Sequence, residues 1–326
     1  MHRLGLLVSL ALSVAAPPAA LANAYAPTAG KVLAGVGAGA DAREFDAQVR
    51  HHSPVFQTFV TFGRSAEFAF TRAAQTGARP MLHISTITAD GGETITPRAI
   101  ARGRGDAWLL SLNGRLAQTG GPVYVRLFAE MNAYWNPYSA FDASGRARGG
   151  SHSTAAFRAA WRRIALVLRG GAVARIDRRL AALGLPRVGT TAAALPVPQV
   201  ALMWVPQVAG APDVRANAPG AYWPGRAYVD WAGTDFYSKF PNFAGLDRFA
   251  SDRRWRRLPF VFGEWAIWGR DDPGFVRRFF DWVHAHRGVR MVVYNQGSRA
   301  DGPFRLRHYP RALAALRAEL RAPAFR

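Results

Sequence analysis

Two glutamates sit where a reacting carboxyl group would be placed. Residues 122–138 (PVYVRLFAEMNAYWNPY) read as an apolar strand built from Val123, Tyr124, Val125, Leu127 and Phe128. Glu130 closes it, and Met131, Asn132, Tyr134 and Trp135 follow at once. Residues 258–268 (LPFVFGEWAIW) repeat the arrangement, with Glu264 ending the run and Trp265 and Trp268 beyond it. A carboxylate at the C-terminal end of a strand buried on both faces suits the catalytic face of a parallel α/β barrel better than a packed core. Two such carboxylates, each beside aromatic surfaces the size of a sugar ring, suggest glycoside chemistry. The chain has only six glutamates. Glu44, Glu67 and Glu319 fall in amphipathic helical segments and Glu93 in a Gly-rich loop, which leaves Glu130 and Glu264 as the pair.

Holding two such groups face to face requires a closed frame, and the sequence alternates short apolar runs with amphipathic stretches eight times. Strands are predicted over 32–39, 56–62, 80–86, 123–130, 199–205, 228–237, 258–264 and 289–294. Helices are predicted over 41–52 from an Asp41 cap, over a segment that Ser65 caps and Gly77 ends, and over 96–118. Further helices follow over 155–183 with a break at Gly170 and Gly171, then over 246–257, 273–286 and 309–320. Residues 139–152 read as an exposed loop, and Ser153 or Thr154 caps the helix after it. With no composition break or linker, the expectation is a single (β/α)8 TIM barrel.

At 326 residues the chain accommodates one such barrel, and 49% hydrophobic and 12% aromatic content supplies its core. The formal charge of +21 is almost wholly arginine, Lys31 and Lys239 being the only lysines. These charges spread along the helices without a nucleic-acid-binding motif, so no nucleic acid is expected as partner. Attraction to an acidic glycan or cell wall remains open. The first residues combine a short basic start (Met1, His2, Arg3), an apolar run over 4–16 and small-x-small sites at 20–24. This reads as a secretory signal peptide over 1–24, leaving a chain secreted or held at the cell envelope, and no other segment is expected to span a membrane. The absence of cysteine excludes disulfides, a thiolate nucleophile and Cys-ligated metal.

Periodicity places further candidates. His83 lies near the end of the third strand, where it either lines a sugar site or is a rim histidine bonded locally. Trp135, Trp204, Trp223, Trp265 and Trp268 fall at strand ends or just beyond, where two or three would stack on pyranose rings. Asn132 is placed to bond a sugar hydroxyl. Alternation puts Arg126, Phe128 and Glu130 on one side of the fourth strand, and Phe260, Phe262 and Glu264 on one side of the seventh. An inward Arg126 needs an acidic partner, and Asp235 is the candidate, as structural support.

The segment RLFAEMNAYWNPY (126–138) resembles the fourth-strand motif of glycoside hydrolase family 26, the β-mannanase family of the clan A barrels. YWPGRAYVDWAGTDFYS (222–238) resembles its sixth-strand motif, and IARGRGD (100–106) and FGEW (262–265) sit where that family has its helix before strand four and its nucleophile strand. The resemblance implies a retaining β-glycosidase acting on a β-linked polysaccharide, endo-β-1,4-mannanase-like; such chemistry requires no cofactor or metal, the histidines show no clustered ligand spacing, and a monomer is expected. It makes Glu130 the acid/base, apolar neighbours such as Phe128 and Trp135 helping it stay protonated. Glu264 becomes the nucleophile, with Tyr237 holding it charged and aimed. Departures are Ala129 where the family has histidine, Ala133 for glycine, Arg226 for aspartate, and Tyr294-Asn295-Gln296 where a tryptophan platform is sought. A β-glucanase or xylanase, or a non-catalytic glycan-binding barrel, are the alternatives.

Overall fold

A computed structural model describes residues 25–38 and 42–325, so the signal-peptide reading and the Asp41 cap fall outside the described residues. Eight parallel strands close into a barrel: β1 (Leu33–Gly37), β2 (Val55–Thr61), β3 (Arg79–Ser85), β4 (Val123–Leu127), β5 (Val200–Trp204), β6 (Trp231–Tyr237), β7 (Phe260–Ala266) and β8 (Val289–Asn295). Each strand pairs with its sequence neighbours, and β1 closes the ring against β8 with Leu33 opposite Met291 and Gly37 opposite Asn295. This is the expected (β/α)8 architecture.

The helices form the outer layer: α1 (Ala42–Val49), α2 (Glu67–Gln75), α3 (Pro97–Ala101), α4 (Asp106–Ala117), α5 (Thr154–Arg169), α6 (Val173–Ala182), α7 (Phe243–Ser251), α8 (Pro273–Ala285) and α9 (Pro310–Glu319). Most expected boundaries shift by a few residues for identifiable reasons. The region 96–118 splits because Gly103 takes a left-handed φ of 89° between α3 and α4. The helix placed at 246–257 begins earlier, where the Asn242 side chain accepts from the Gly245 N–H, and ends at Ser251 as Asp252 turns extended. Ser153 caps α5 by accepting from the Ala156 N–H. Before β6 the chain makes 3-10 turns, so that strand starts at Trp231 instead of Tyr228. A two-stranded ribbon, Gly171–Ala172 with Ala194–Leu195, was not anticipated.

Alternation divides the apolar residues into two cores. Inward residues such as Met81, Tyr124, Met203, Trp231, Val261 and Met291 fill the barrel, with Tyr124 edge-on to Trp231 at 5.7 Å. Outward residues of the same strands pack under the helices. β6 and β7 approach so closely that a Cβ on Gly233 would lie 1.7 Å from the Val261 carbonyl oxygen, so only glycine fits there. A buried ion pair, Arg163 on α5 with Asp106 at the start of α4, ties the helical layer together, the guanidinium also reaching the Pro186 and Arg187 carbonyls. Among the described residues no helix is long and apolar enough to cross a membrane.

Candidate active site

The C-terminal mouth of the barrel gathers one carboxylate and its donors from five strands. Glu264 reaches it through a β-bulge. On both flanks of β7 the register runs from Phe262 to Trp265 while the neighbours advance only from Val292 to Tyr294 and from Thr234 to Phe236. The extra residue resets the alternation, so Phe260 and Phe262 lie in the outer layer while Glu264 turns inward; the expected shared side is corrected by this bulge. Gly263 makes it possible: a Cβ there would meet Arg126 Nε at 2.6 Å and Asp235 Oδ1 at 3.0 Å.

Both oxygens of Glu264 are fully engaged. Oε1 accepts from Arg126 Nη1 at 2.6 Å and Gln57 Nε2 at 3.0 Å. Oε2 accepts from the Tyr237 hydroxyl at 2.6 Å and Asn295 Nδ2 at 2.8 Å. Burial alone would raise its pKa, but the Arg126 charge and the surrounding donors prevail and hold it well below the usual carboxylate range. Arg126, completely buried, donates from Nη2 to Asp235, whose other oxygen accepts the Glu264 backbone N–H at 2.8 Å. Nη1 also lies 2.7 Å from His83 Nδ1. Arginine only donates, so Nδ1 is the acceptor and the imidazole proton sits on Nε2. Burial first, then the Arg126 charge, lower the His83 pKa to about 4, consistent with a neutral ring. His83 therefore stands beside the anion, its ring 4.7 Å from that of Phe59.

Glu130 arrives by a different distortion. Phe128 and Glu130 both adopt left-handed backbone, φ 46° and 53°, costing of order 1–3 kcal/mol each for non-glycine residues. The first twist throws Phe128 outward against Phe62, Tyr138 and Phe157, so it shares no side with Arg126. Its expected help in keeping Glu130 protonated is withdrawn for the same reason. Ala129 instead faces the barrel interior, fully buried. Glu130 accepts from Trp135 Nε1 at 2.7 Å and Gln207 Nε2 at 2.5 Å. Its pKa is raised, first by burial and then by the negative charge of Glu264, against the opposing pull of Arg126 and the Trp135 N–H. Three carboxyls thus face one guanidinium; burial raises Asp235 as well, and the retained proton belongs to the Glu130–Asp235 side while Glu264 stays ionised.

Glu130 and Glu264 line one cavity of about 620 Å³, with Asp235 and Tyr237 at its floor. One wall carries Tyr134 and Trp135, 43% and 50% exposed, their rings 5.3 Å apart. The other carries Phe240, 66% exposed, with Trp268 and Phe304. Trp135 and Trp268 therefore reach the cleft, and the remaining predicted tryptophans do not. Trp204, completely buried, points outward from β5 into an aromatic cluster with Trp223, Trp255 and Phe249. Trp223 packs in that cluster, away from the mouth. Trp265 lies in the outer core, stacked at 4.6 Å on Phe279. Asn132 is also corrected: fully buried, it accepts from the Gln207 N–H and donates to the Gln207 and Ala209 carbonyls, which fixes the loop carrying Gln207 and leaves nothing for a sugar.

Gln57, Gln207, Asn295 and Phe240 escaped the sequence reading as site residues. Gln57 had a signal, a long polar side chain at an inward position of a largely apolar strand; Gln207 and Phe240 lie in loops without periodicity. Among the described residues no group of three or more His, Cys, Asp or Glu could hold a metal ion.

A closed parallel barrel with these carboxyls at its mouth has the fold of the family 26 glycoside hydrolases. The chain is similar to the catalytic domain of the Bacillus sp. JAMB-750 endo-β-1,4-mannanase, at TM-score 0.58 and 12% identity over 93% of this chain and 89% of that one. It is likewise similar to a Cellulomonas fimi endo-β-1,4-mannanase double mutant (TM-score 0.58, 16% identity, 93% and 73% covered). A third likeness is to a Bacteroides ovatus β-mannanase (TM-score 0.55, 16% identity, 90% of each). No family model and no curated protein matches the sequence. At these identities the likeness is one of fold.

Proposed function

We propose that this chain is a retaining β-glycosidase of the family 26 type, cutting a β-linked polysaccharide internally, with β-1,4-mannan the first candidate substrate. The carrying observation is the opposite electrostatics of two carboxyls in one cleft: Glu264 held ionised by Arg126 and its donors, Glu130 raised by burial and by that neighbouring charge. Glu130 protonates the glycosidic oxygen as Glu264 attacks the anomeric carbon, giving a glycosyl-enzyme. Glu130, now a carboxylate, takes a proton from the water that releases the sugar. The Tyr237 hydroxyl, kept protonated because burial and the adjacent Glu264 charge push its pKa far up, remains a donor throughout. Exposed aromatic walls on both sides of an open cleft favour a polymer over a short exo substrate. Export after loss of residues 1–24 completes the reading.

The test is reducing-end release from mannan, glucomannan, β-glucans, xylans and acidic polysaccharides, with NMR of the first-formed anomer. One polymer should be cut with retention, and Glu130→Ala and Glu264→Ala should each lose several orders of magnitude. Binding without cleavage across the panel would favour a non-catalytic barrel.

A further inference from the structure

We propose that Gln57 and Asn295 are positioning residues for the Glu264 carboxylate, one amide on each oxygen, fixing both its orientation and its anionic state. The inference rests on Glu264 being the reacting carboxylate, and goes beyond it by assigning two groups from strands on opposite sides of β1.

The amides are oriented by chemistry. An ionised carboxylate only accepts, so each amide must turn its NH2 toward Glu264. For Asn295 the turn leaves Oδ1 to accept the Gly297 N–H at 2.8 Å, while Nδ2 also lies 2.9 Å from the Tyr237 hydroxyl. That places Asn295 across the Glu264–Tyr237 pair, holding both members. For Gln57 the same turn leaves Oε1 buried without a hydrogen-bond partner. The orientation follows from what Nε2 must do beside an anion. The surroundings are fitted to it: a Cβ on Gly37 would lie 2.8 Å from Gln57 Nε2, so β1 must carry glycine there.

The other groups facing Glu264 are charged or titratable: Arg126 from β4, His83 from β3, Asp235 and Tyr237 from β6, and Glu130 beyond β4. Arg126 divides its charge between two carboxylates. His83 Nδ1, already accepting from Arg126, has no proton to give Glu264. With the Tyr237 hydroxyl, the two amides are the neutral donors to Glu264, whereas the Asp235 side chain engages Arg126, the Glu264 backbone N–H and the Glu130 carboxyl.

The test uses the full chain labelled with 13C at glutamate Cδ. Six glutamates make the spectrum resolvable, and Glu264→Gln assigns the signal. Gln57→Met and Asn295→Leu should each raise the Glu264 titration midpoint by about one pH unit, with the acid limb of kcat/KM moving by the same amount and KM changing little. Melting curves identify a variant that has lost its fold, in which case the conservative Gln57→Asn, whose shorter amide cannot reach, replaces it. A midpoint unmoved in folded variants at both positions overturns the assignment. Because the titration is read without turnover, an enzyme that cuts no polymer yet shows these shifts sinks the glycosidase reading and leaves the positioning intact.

Discussion

Arg126→Met removes the one cation shared by Glu264 and Asp235 while keeping most of its length and volume. Arg126 and both partners are buried, so neither carboxylate can turn to water for compensation. Breaking a buried pair by removing one partner costs about 3–5 kcal/mol, which at roughly 2 °C per kcal/mol for a large domain lowers Tm by about 6–10 °C at pH 7. The pH dependence identifies the cause. In the native chain the Glu264 pKa lies below its unfolded value, so it contributes stability above about pH 4.3, lost as pH falls through the folded value. Without Arg126, burial is opposed only by the neutral donors and carries the Glu264 pKa above the unfolded value; the variant is then penalised at neutral pH, and the penalty fades as pH falls from that raised value to about 4.3. The stability gap between native and variant should be widest at pH 7 and shrink toward acid. Denaturant melts at several pH values measure it. A gap below about 1 kcal/mol, or one equal at pH 4 and pH 7, would refute the reasoning, since a cavity left by a missing side chain does not titrate.

Trp135→Phe keeps an aromatic face at the cleft but deletes the indole N–H that favours ionised Glu130. The Glu130 pKa should rise and the basic limb of kcat/KM move upward by up to roughly one pH unit; a pH–rate profile superimposable on the native one would count against it. Asp106→Ala leaves the buried Arg163 guanidinium without its carboxylate in the helical layer, outside the lining of the cleft. A loss of about 3 kcal/mol in denaturant melts is expected, with kcat and KM unchanged at temperatures where both proteins are folded; a matching loss of kcat would show the helical layer coupled to the cleft.

The strands and both glutamates were legible because buried parallel strands read as continuous apolar runs and a charge ending such a run stands out. Arg126 and Asp235 were legible together, since simple alternation holds up to Leu127 in β4 and through β6. What followed was not. Alternation assumes a residue-by-residue pleat, and the bulge at Gly263 and Glu264 and the left-handed Phe128 and Glu130 break it where the side chains matter most. A glycine immediately before a strand-end glutamate was the available clue. The tryptophans failed for a related reason: position near a strand end says nothing of direction, and Trp204 and Trp265 fall one residue out of phase with the cleft. Asn132 looked like a ligand because its role, tying down the loop of Gln207, depends on a partner 75 residues away.

The donors around Glu264 also impose an order on folding. Tyr237 and Asn295 are 27 and 31 residues away along the chain, whereas Arg126 is 138 and Gln57 is 207. A C-terminal segment spanning β6 to β8 can assemble the first two alone, but Gln57 joins only when β1 docks on β8 and the ring closes. Contacts of such long sequence separation carry the largest loop-closure entropy and form late. The charge state of one side chain thus becomes a reporter of ring closure: in refolding at a pH below the unfolded value of about 4.3 and above the depressed folded one, the Glu264 carboxyl should lose its proton in the last step, after most of the helical signal has returned.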